Sequence, residues 1–204
     1  MTPAEIKRAQ NLSRLSLMIP KHIIHLLSGG LDSVTLLHDL VDCGSHVHCL
    51  LFDYKQRHVQ ELQFAKWHAR KLNVLFTTIE LPPLGGLTEG AWIVPNRNCI
   101  FLSIAANLAA RSGSDTITIG CNASDAEAFS DCRREFIDAF NGSLKAAEIS
   151  VEVCAPYLDW PKSKIARHAS DMGIAMADIW TCYKGGPIPC GECPACRKLK
   201  EATS

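Results

Sequence analysis

The strongest constraint on the fold lies early in the chain. A strand-length apolar run, His22-Ile23-Ile24-His25-Leu26-Leu27, passes through Ser28-Gly29-Gly30 into Leu31-Asp32-Ser33 and a segment with apolar residues at Leu36, Leu37, Leu40 and Val41. Apolar residues three and four apart are helical spacing, so the glycines sit at a strand-to-helix turn. Such a turn aims free backbone N–H groups and the positive end of a helix at one spot, which suits phosphate. Glycine lets the backbone approach an anion without a Cβ in the way. Ser28 and Ser33 add hydroxyl donors, and Asp32 can hold a cation that neutralises the phosphates. Two glycines alone read equally well as a plain capped turn. The two serines and Asp32 tip the reading towards phosphate.

The rest of the chain alternates. His46–Phe52 reads as a second strand ending at Asp53, with a helix from about Gln56 that places Leu62, Ala65, Ala69 and Leu72 on one face. Val74–Leu81 is a third strand, and Leu81-Pro82-Pro83-Leu84-Gly85-Gly86 a loop. Asn98–Arg111 is a helix, Thr116–Gly120 a fourth strand, and a polar loop leads to a helix from about Cys132. Val151–Ala155 is a fifth strand and Lys162–Met172 a further helix. Strands alternating with helices predict an α/β fold, a parallel five-stranded sheet with helices on both faces and right-handed crossovers. Ligands then gather at the carboxyl ends of the strands, where Ser28, Asp53 and Gly120 lie. Residues 1–20 are expected to form a helical extension, opened by Thr2-Pro3-Ala4-Glu5 in the form of a capping box. The expected α/β domain covers 21–175 and a cysteine-rich tail 176–204.

The chain's 204 residues, 47% of them hydrophobic, can bury one sizeable core. Lys and Arg (21) balance Asp and Glu (21), which gives no reason to expect nucleic acid as a partner and suits a small-molecule substrate. No apolar run reaches the roughly 18 residues of a membrane span, and no signal-like region opens the chain, so a cytoplasmic protein is expected. Ten cysteines in such a chain point to thiols and metal ligation rather than a disulfide scaffold. Cys182, Cys190, Cys193 and Cys196 are closely spaced, and the glycines and prolines between them turn the chain tightly enough for four thiolates to converge. Four soft thiolates suit zinc in a closed, structural site. An iron–sulfur cluster is the rival. Binding free energies on the order of 10–16 kcal/mol in small zinc peptides are ample to fold a loop-rich tail. The other six cysteines read as buried small hydrophobes, with Cys132 the doubtful one beside Asp131 and Arg133.

Arg57, His58 and Glu61 crowd one helix start, where Arg57 could hold a phosphate or carboxylate, or simply be solvated. Val94-Pro95-Asn96-Arg97-Asn98 offers a similar cluster, with Asn96 or Asn98 as a helix cap. Asp125 and Ser130-Asp131-Cys132-Arg133 carry charge after the fourth strand. Lys162 and Lys164 open a helix at the end that disfavours cations, which hints that one of them faces an anion.

These motifs resemble one family. Ser28-Gly29-Gly30-Leu31-Asp32-Ser33 looks like the pyrophosphate loop of the N-type ATP pyrophosphatases. Asp53-x-x-Gln56-Arg57-His58-x-x-Glu61, Val94-Pro95-x-Arg97-Asn98, Asp131-Cys132-Arg133, and Cys182-Tyr183 followed by Cys190-Gly191-x-Cys193-x-x-Cys196 look like the motifs of the 7-cyano-7-deazaguanine (preQ0) synthases, in the same order. The resemblance runs from about residue 22 to 198. It implies an adenine nucleotide alpha hydrolase-like, Rossmann-like fold and an enzyme of queuosine biosynthesis. That enzyme uses ATP, Mg2+ and Zn2+ to convert 7-carboxy-7-deazaguanine and ammonia into the nitrile through an acyl-adenylate and an amide. By resemblance, Ser28, Gly29, Gly30, Leu31, Asp32 and Ser33 hold the pyrophosphate, with Asp53, Arg57 and His58 in the nucleotide site. Arg97 and Lys162 join Ser28, Asp32 and Ser33 as catalytic candidates. Arg97, Asn98, Asp131 and Arg133 are candidates for the deazaguanine acid, and Cys182, Cys190, Cys193 and Cys196 for zinc. Family members often form dimers, so a homodimer is an expectation.

Departures from the family pattern gather on the substrate side. They are Lys55 and Asn96 where glycine is usual, Phe129-Ser130 where Tyr-Pro is usual, a shorter 81–94 segment and the added N-terminal helix. They keep open a relative that delivers the same acyl-adenylate to another amine, such as one on a protein. More remote are a tRNA thiolase with an iron–sulfur cluster and a non-enzymatic ATP-binding module.

Overall fold

Five short strands pair side by side, all parallel, in the order β3-β2-β1-β4-β5. They are β1 (His22–Leu26), β2 (His46–Asp53), β3 (Leu75–Glu80), β4 (Thr116–Thr118) and β5 (Glu152–Cys154). The computed structural model describes residues 22–84 and 94–203. The expected helix over 1–20 and most of the 81–94 segment lie outside the described residues. The helices are α1 (Leu31–Asp42), α2 (Glu61–Lys71), α3 (Arg97–Ser112), α4 (Ala123–Ala126), α5 (Arg134–Ala146), α6 (Lys162–Asp171) and α7 (Pro194–Thr203).

Side chains alternate across a strand, and the sheet uses both faces. Ile23 on β1 with Val47, Cys49 and Leu51 on β2 pack against α1, α2 and α6. Ile24 and Leu26 with Leu50 and Phe52 pack on the other face against α3 and α5. Burial on both sides explains why β1 and β2 read as near-continuous apolar runs. One polar cluster ties the first face together. The buried Asp39 of α1 accepts from the Tyr157 hydroxyl and from His168 Nε2–H of α6 at 2.8 Å.

Chain order fixes where a ligand can sit. From β1 the chain moves one way to β2 and β3, then returns across β1 to place β4 on its other side. The loops after β1 and β4 therefore diverge, leaving a crevice at the carboxyl ends of these two strands.

The structure departs from the sequence reading in three places. Helix α2 starts at Glu61 rather than near Gln56, because Gln56 turns its amide back on the chain: its Oε1 accepts from Tyr54 N–H at 2.9 Å and its Nε2 donates to Phe52 O at 3.1 Å. The helix expected from Cys132 is preceded by the one-turn α4 and a 3-10 turn over Ser130–Cys132, and begins at Arg134. The tail is not all loop: it ends in the ten-residue α7, with Pro194 at its first position.

Candidate active site

The turn after β1 is built by its own hydroxyls. Ser28 Oγ lies 2.9 Å from Ser33 Oγ; Ser28 N–H donates to Ser33 Oγ at 3.2 Å and Gly30 N–H to Ser28 Oγ at 3.3 Å. Gly29 has φ +89°, and a Cβ there would stand 2.2 Å from the carbonyl oxygen of Glu61, so α2 can approach only a glycine. Gly120 does the same for the β4 loop, where a Cβ would come 3.0 Å from Ser33 N. Beneath the turn, the fully buried His25 contacts Ser33 O through Nε2 and the Thr118 hydroxyl through Nδ1, each at 2.9 Å. Burial lowers its pKa to about 4, so the ring is neutral, with Nε2–H donating to Ser33 O and Nδ1 accepting from Thr118.

Charge collects beside the turn. Lys162, at the start of α6, places Nζ 3.0 Å from Asp32 Oδ2 and 3.4 Å from Asp125 Oδ2. Asp125 is fixed in turn by Asn122, which caps α4 and donates to Asp125 Oδ2 at 2.8 Å, and by Lys198 Nζ at 3.1 Å from Oδ1. Burial raises the Asp32 carboxyl, and Lys162 offsets only part of that. Burial also works against a charge on Asp125 and on Lys162. For Asp125 the two ammonium groups outweigh it and hold the carboxyl low; for Lys162 the two carboxylates outweigh it and keep the amine protonated. Asp32 Oδ1 is the one buried side-chain polar atom among the described residues with no hydrogen-bond partner. A buried carboxylate oxygen left unpaired beside a phosphate-shaped turn fits a hard cation such as Mg2+.

The opposite wall is aromatic and basic. Arg97 donates to the Tyr54 hydroxyl at 3.1 Å, and Phe52 stacks on Phe101 with centroids 4.1 Å apart. Glu61 Oε1 accepts from Gln56 Nε2 at 3.0 Å and lies 3.5 Å from His58 Nε2. Burial raises the Glu61 carboxyl to about 7 and lowers His58 to about 4, the latter helped by the Arg97 cation. The end of the chain forms the third wall. Trp180 N–H donates to Gly29 O at 2.9 Å, and Thr181, Tyr183 and Ala195 line the same cleft.

Behind that wall, the four sulfurs of Cys182, Cys190, Cys193 and Cys196 lie within 4.8 Å of one another, with Cys190 and Cys196 4.0 Å apart. Four thiolates at about 2.3 Å from one ion in a tetrahedron stand about 3.8 Å apart, so the set suits a single metal ion. Backbone N–H groups of Glu192 and Cys193 lower the Cys190 thiol to about 6, against burial. All ten cysteines are free of disulfides; of the other six, Cys49 and Cys121 are buried and the rest half-buried.

The comparison with protein families matches a model described as "Queuosine biosynthesis protein QueC" over residues 22–93 and 89–204. The chain is 38% identical over 201 residues to the 7-cyano-7-deazaguanine synthase of Archaeoglobus fulgidus, covering 88% of this chain and 84% of that protein. To the enzyme of the same name from Caldicellulosiruptor bescii it is 36% identical over 199 residues, 87% of this chain and 90% of that one. This chain belongs to the QueC family. More distant solved structures share the fold alone. One is a U34-tRNA thiolase from Methanococcus maripaludis with a [4Fe-4S] cluster (TM-score 0.60, 13% identity, 98% of this chain and 71% of that one). Another is an NH3-dependent NAD synthetase from Campylobacter jejuni (TM-score 0.59, 17% identity, 87% and 77%).

In this QueC chain Ser28, Gly30, Leu31, Asp32, Ser33, His58, Arg97, Asn98, Asp131 and Lys162 line one cleft. Four residues singled out from the sequence are not part of its lining. Gly29 contributes through its backbone. Asp53 accepts from Lys55 N–H at 3.0 Å, Arg57 is exposed, and Arg133 donates Nε–H to Ala126 O at 2.8 Å. Asn96 stands at the start of α3 in a left-handed conformation without a capping bond, while Asn98 is buried and donates to Asp131 O at 3.1 Å. Sequence reasoning passed over Tyr54, Asp125 and Tyr183 as site residues and missed Trp180 and Lys198 altogether. For Asp125 the signal was available, as a charged residue in the loop after a central strand. For Lys198 there was none, since its partner lies 73 positions away.

Proposed function

We propose that this chain makes 7-cyano-7-deazaguanine from 7-carboxy-7-deazaguanine, ammonia and ATP. The observation that carries the reading is the crevice between β1 and β4. There a turn lined by the Ser28 and Ser33 hydroxyls stands beside Lys162 and the unpartnered Asp32 oxygen, in a chain of the family whose named members are synthases of that nitrile.

A carboxylate at neutral pH repels nucleophiles and has no leaving group. Attack by its oxygen on the α-phosphorus of ATP expels pyrophosphate and gives the acyl-adenylate. Ammonia then attacks the carbonyl carbon, a proton is lost and AMP departs, leaving the amide. A second ATP adenylates the amide oxygen and loses pyrophosphate; the nitrogen then gives up its two protons as that oxygen departs with AMP, leaving the nitrile. The protein's task is alignment and charge stabilisation rather than covalent catalysis. In this reading Ser28, Gly29, Gly30 and Ser33 cradle the departing pyrophosphate, and Lys162 follows the negative charge that builds on it. Arg97 meets phosphate or carboxylate from the opposite wall, while Asn98 and Asp131 face the deazaguanine. Asp32 would hold a Mg2+ ion, which supplies further neutralisation of the phosphates. Cys182, Cys190, Cys193 and Cys196 hold a zinc ion that shapes the tail.

The test is direct. With ATP, Mg2+, 7-carboxy-7-deazaguanine and ammonium, mass spectrometry should show the nitrile, with AMP and pyrophosphate. Amide or adenylate accumulating without nitrile would overturn the reading in favour of transfer to another amine.

A further inference from the structure

We infer that Lys198 is a positioning residue for ATP binding, through which the cysteine-held tail sets the net charge beside the Ser28–Ser33 turn and the reach of Lys162. The inference rests on the ATP-dependent reading above. Lys198 Nζ lies 3.1 Å from Asp125 Oδ1 and donates to Ser124 O at 3.1 Å, while Lys162 Nζ approaches the other oxygen, Oδ2, at 3.4 Å. Asp125 is therefore clamped between two cations, one on each carboxylate oxygen. Ser124 joins the same clamp from the other direction, because its Oγ accepts from Lys162 N–H at 3.1 Å.

An exposed ion pair usually contributes little. This one differs in that the Lys198 side chain is only 34% exposed, is bonded also to a main-chain carbonyl, and grips a carboxylate that is itself 21% exposed. Asp32, Asp125, Lys162 and Lys198 together are neutral. Without Lys198 the group carries one net negative charge beside the pyrophosphate turn. Lys162 is then drawn from Asp32 towards an under-neutralised Asp125. Both changes oppose an incoming polyphosphate. Cys196 lies in the first turn of α7, so thiolate ligation of a metal fixes the helix that aims Lys198 two residues further on.

One unit of charge about 10 Å away, at an effective dielectric near 20, changes an affinity roughly tenfold. Calorimetric titration of the metal-loaded protein with ATP and Mg2+ should show about tenfold weaker binding for Lys198→Gln than for the unaltered chain. The Michaelis constant for ATP should rise in step, with kcat little changed. Lys198→Arg should restore affinity to within about threefold, since the charge is kept. In an Asp125→Asn background, adding Lys198→Gln should change nothing further, the signature of action through Asp125. Metal content is measured for every variant; if Lys198→Gln does not retain its metal, Lys198→Met, which keeps the alkyl stem, takes its place. Unchanged ATP affinity in Lys198→Gln overturns the inference, as does an undiminished effect in the Asp125→Asn background, or metal loss in both neutral variants. Failure of the unaltered protein to bind ATP overturns both this inference and the proposed function. ATP binding without nitrile overturns the proposed function alone.

Discussion

Replacing Glu61 by Gln separates what burial does to that carboxyl from everything else that titrates in the protein. Gln keeps the oxygen that accepts from Gln56 Nε2 and removes only the ionisation. In the folded chain burial raises the Glu61 carboxyl from 4.5 to about 7. Below pH 4.5 it is protonated whether the chain is folded or not, and it contributes no penalty. As pH rises from 4.5, the unfolded chain releases this proton first, and folded stability falls until about pH 7, where the folded carboxyl also ionises. At about 1.4 kcal/mol per decade of proton affinity the full loss is on the order of 3 kcal/mol, and between pH 5.5 and 8 it is about 2 kcal/mol. Urea unfolding of both proteins at those two pH values gives the answer as a difference of differences, in which the titrating groups that do not touch Glu61 cancel. The gap in favour of Glu61→Gln should widen by about 2 kcal/mol on going to pH 8. A gap that stays constant to within about 0.5 kcal/mol would mean that Glu61 ionises freely in the cleft, and the argument from its burial would fall.

Two further perturbations test the frame of the site. Gly29→Ala brings a Cβ against the Glu61 carbonyl at a left-handed φ, and should destabilise the fold by about 2–5 kcal/mol and abolish ATP binding. Thermal unfolding checks it, and a melting temperature within about 2 °C of the unaltered protein would refute the close approach. Stripping the tail with a chelator should remove one zinc per chain, lower far-ultraviolet helicity as α7 loosens, and weaken ATP binding. Readdition of zinc should restore all three, whereas ATP affinity that survives complete metal loss would show that the wall behind Trp180 stands without it.

Much of this was legible in the sequence, for identifiable reasons. β1 and its turn stand out because burial on both faces favours a near-continuous apolar run and the approach of α2 demands Gly29. The cysteines stand out because four of them fall at close spacing, and the structure brings their sulfurs together. The start of α2 did not, since periodicity alone cannot see that the Gln56 amide folds back to bond the main chain at Tyr54 and Phe52. Helix α7 went unread although Pro194 is a familiar first-turn residue, because the surrounding glycines and cysteines speak for loop. Within the site, Ser28, Asp32 and Ser33 could be placed at the cleft from the sequence because the turn that carries them is local. Arg57 and Arg133 look alike in sequence to Arg97 and Lys162, and only tertiary packing sends the first pair away from the cleft and the second pair into it. Lys198 reaches Asp125 by a path that no local pattern encodes.

The wall contributed by Trp180, Thr181 and Tyr183 has a consequence for how such a chain comes into being. On a ribosome the turn at Ser28–Ser33 emerges early, and α1 and β2 can pack around it while most of the sheet is still unmade. The residues that close over Gly29 and brace Asp125 follow much later in the chain, and a metal gathered by the four cysteines, as proposed above, would bind later still. A nascent chain would thus carry a phosphate-binding turn without the surroundings needed to use it. ATP turnover would begin only after α7 had emerged and packed against α6.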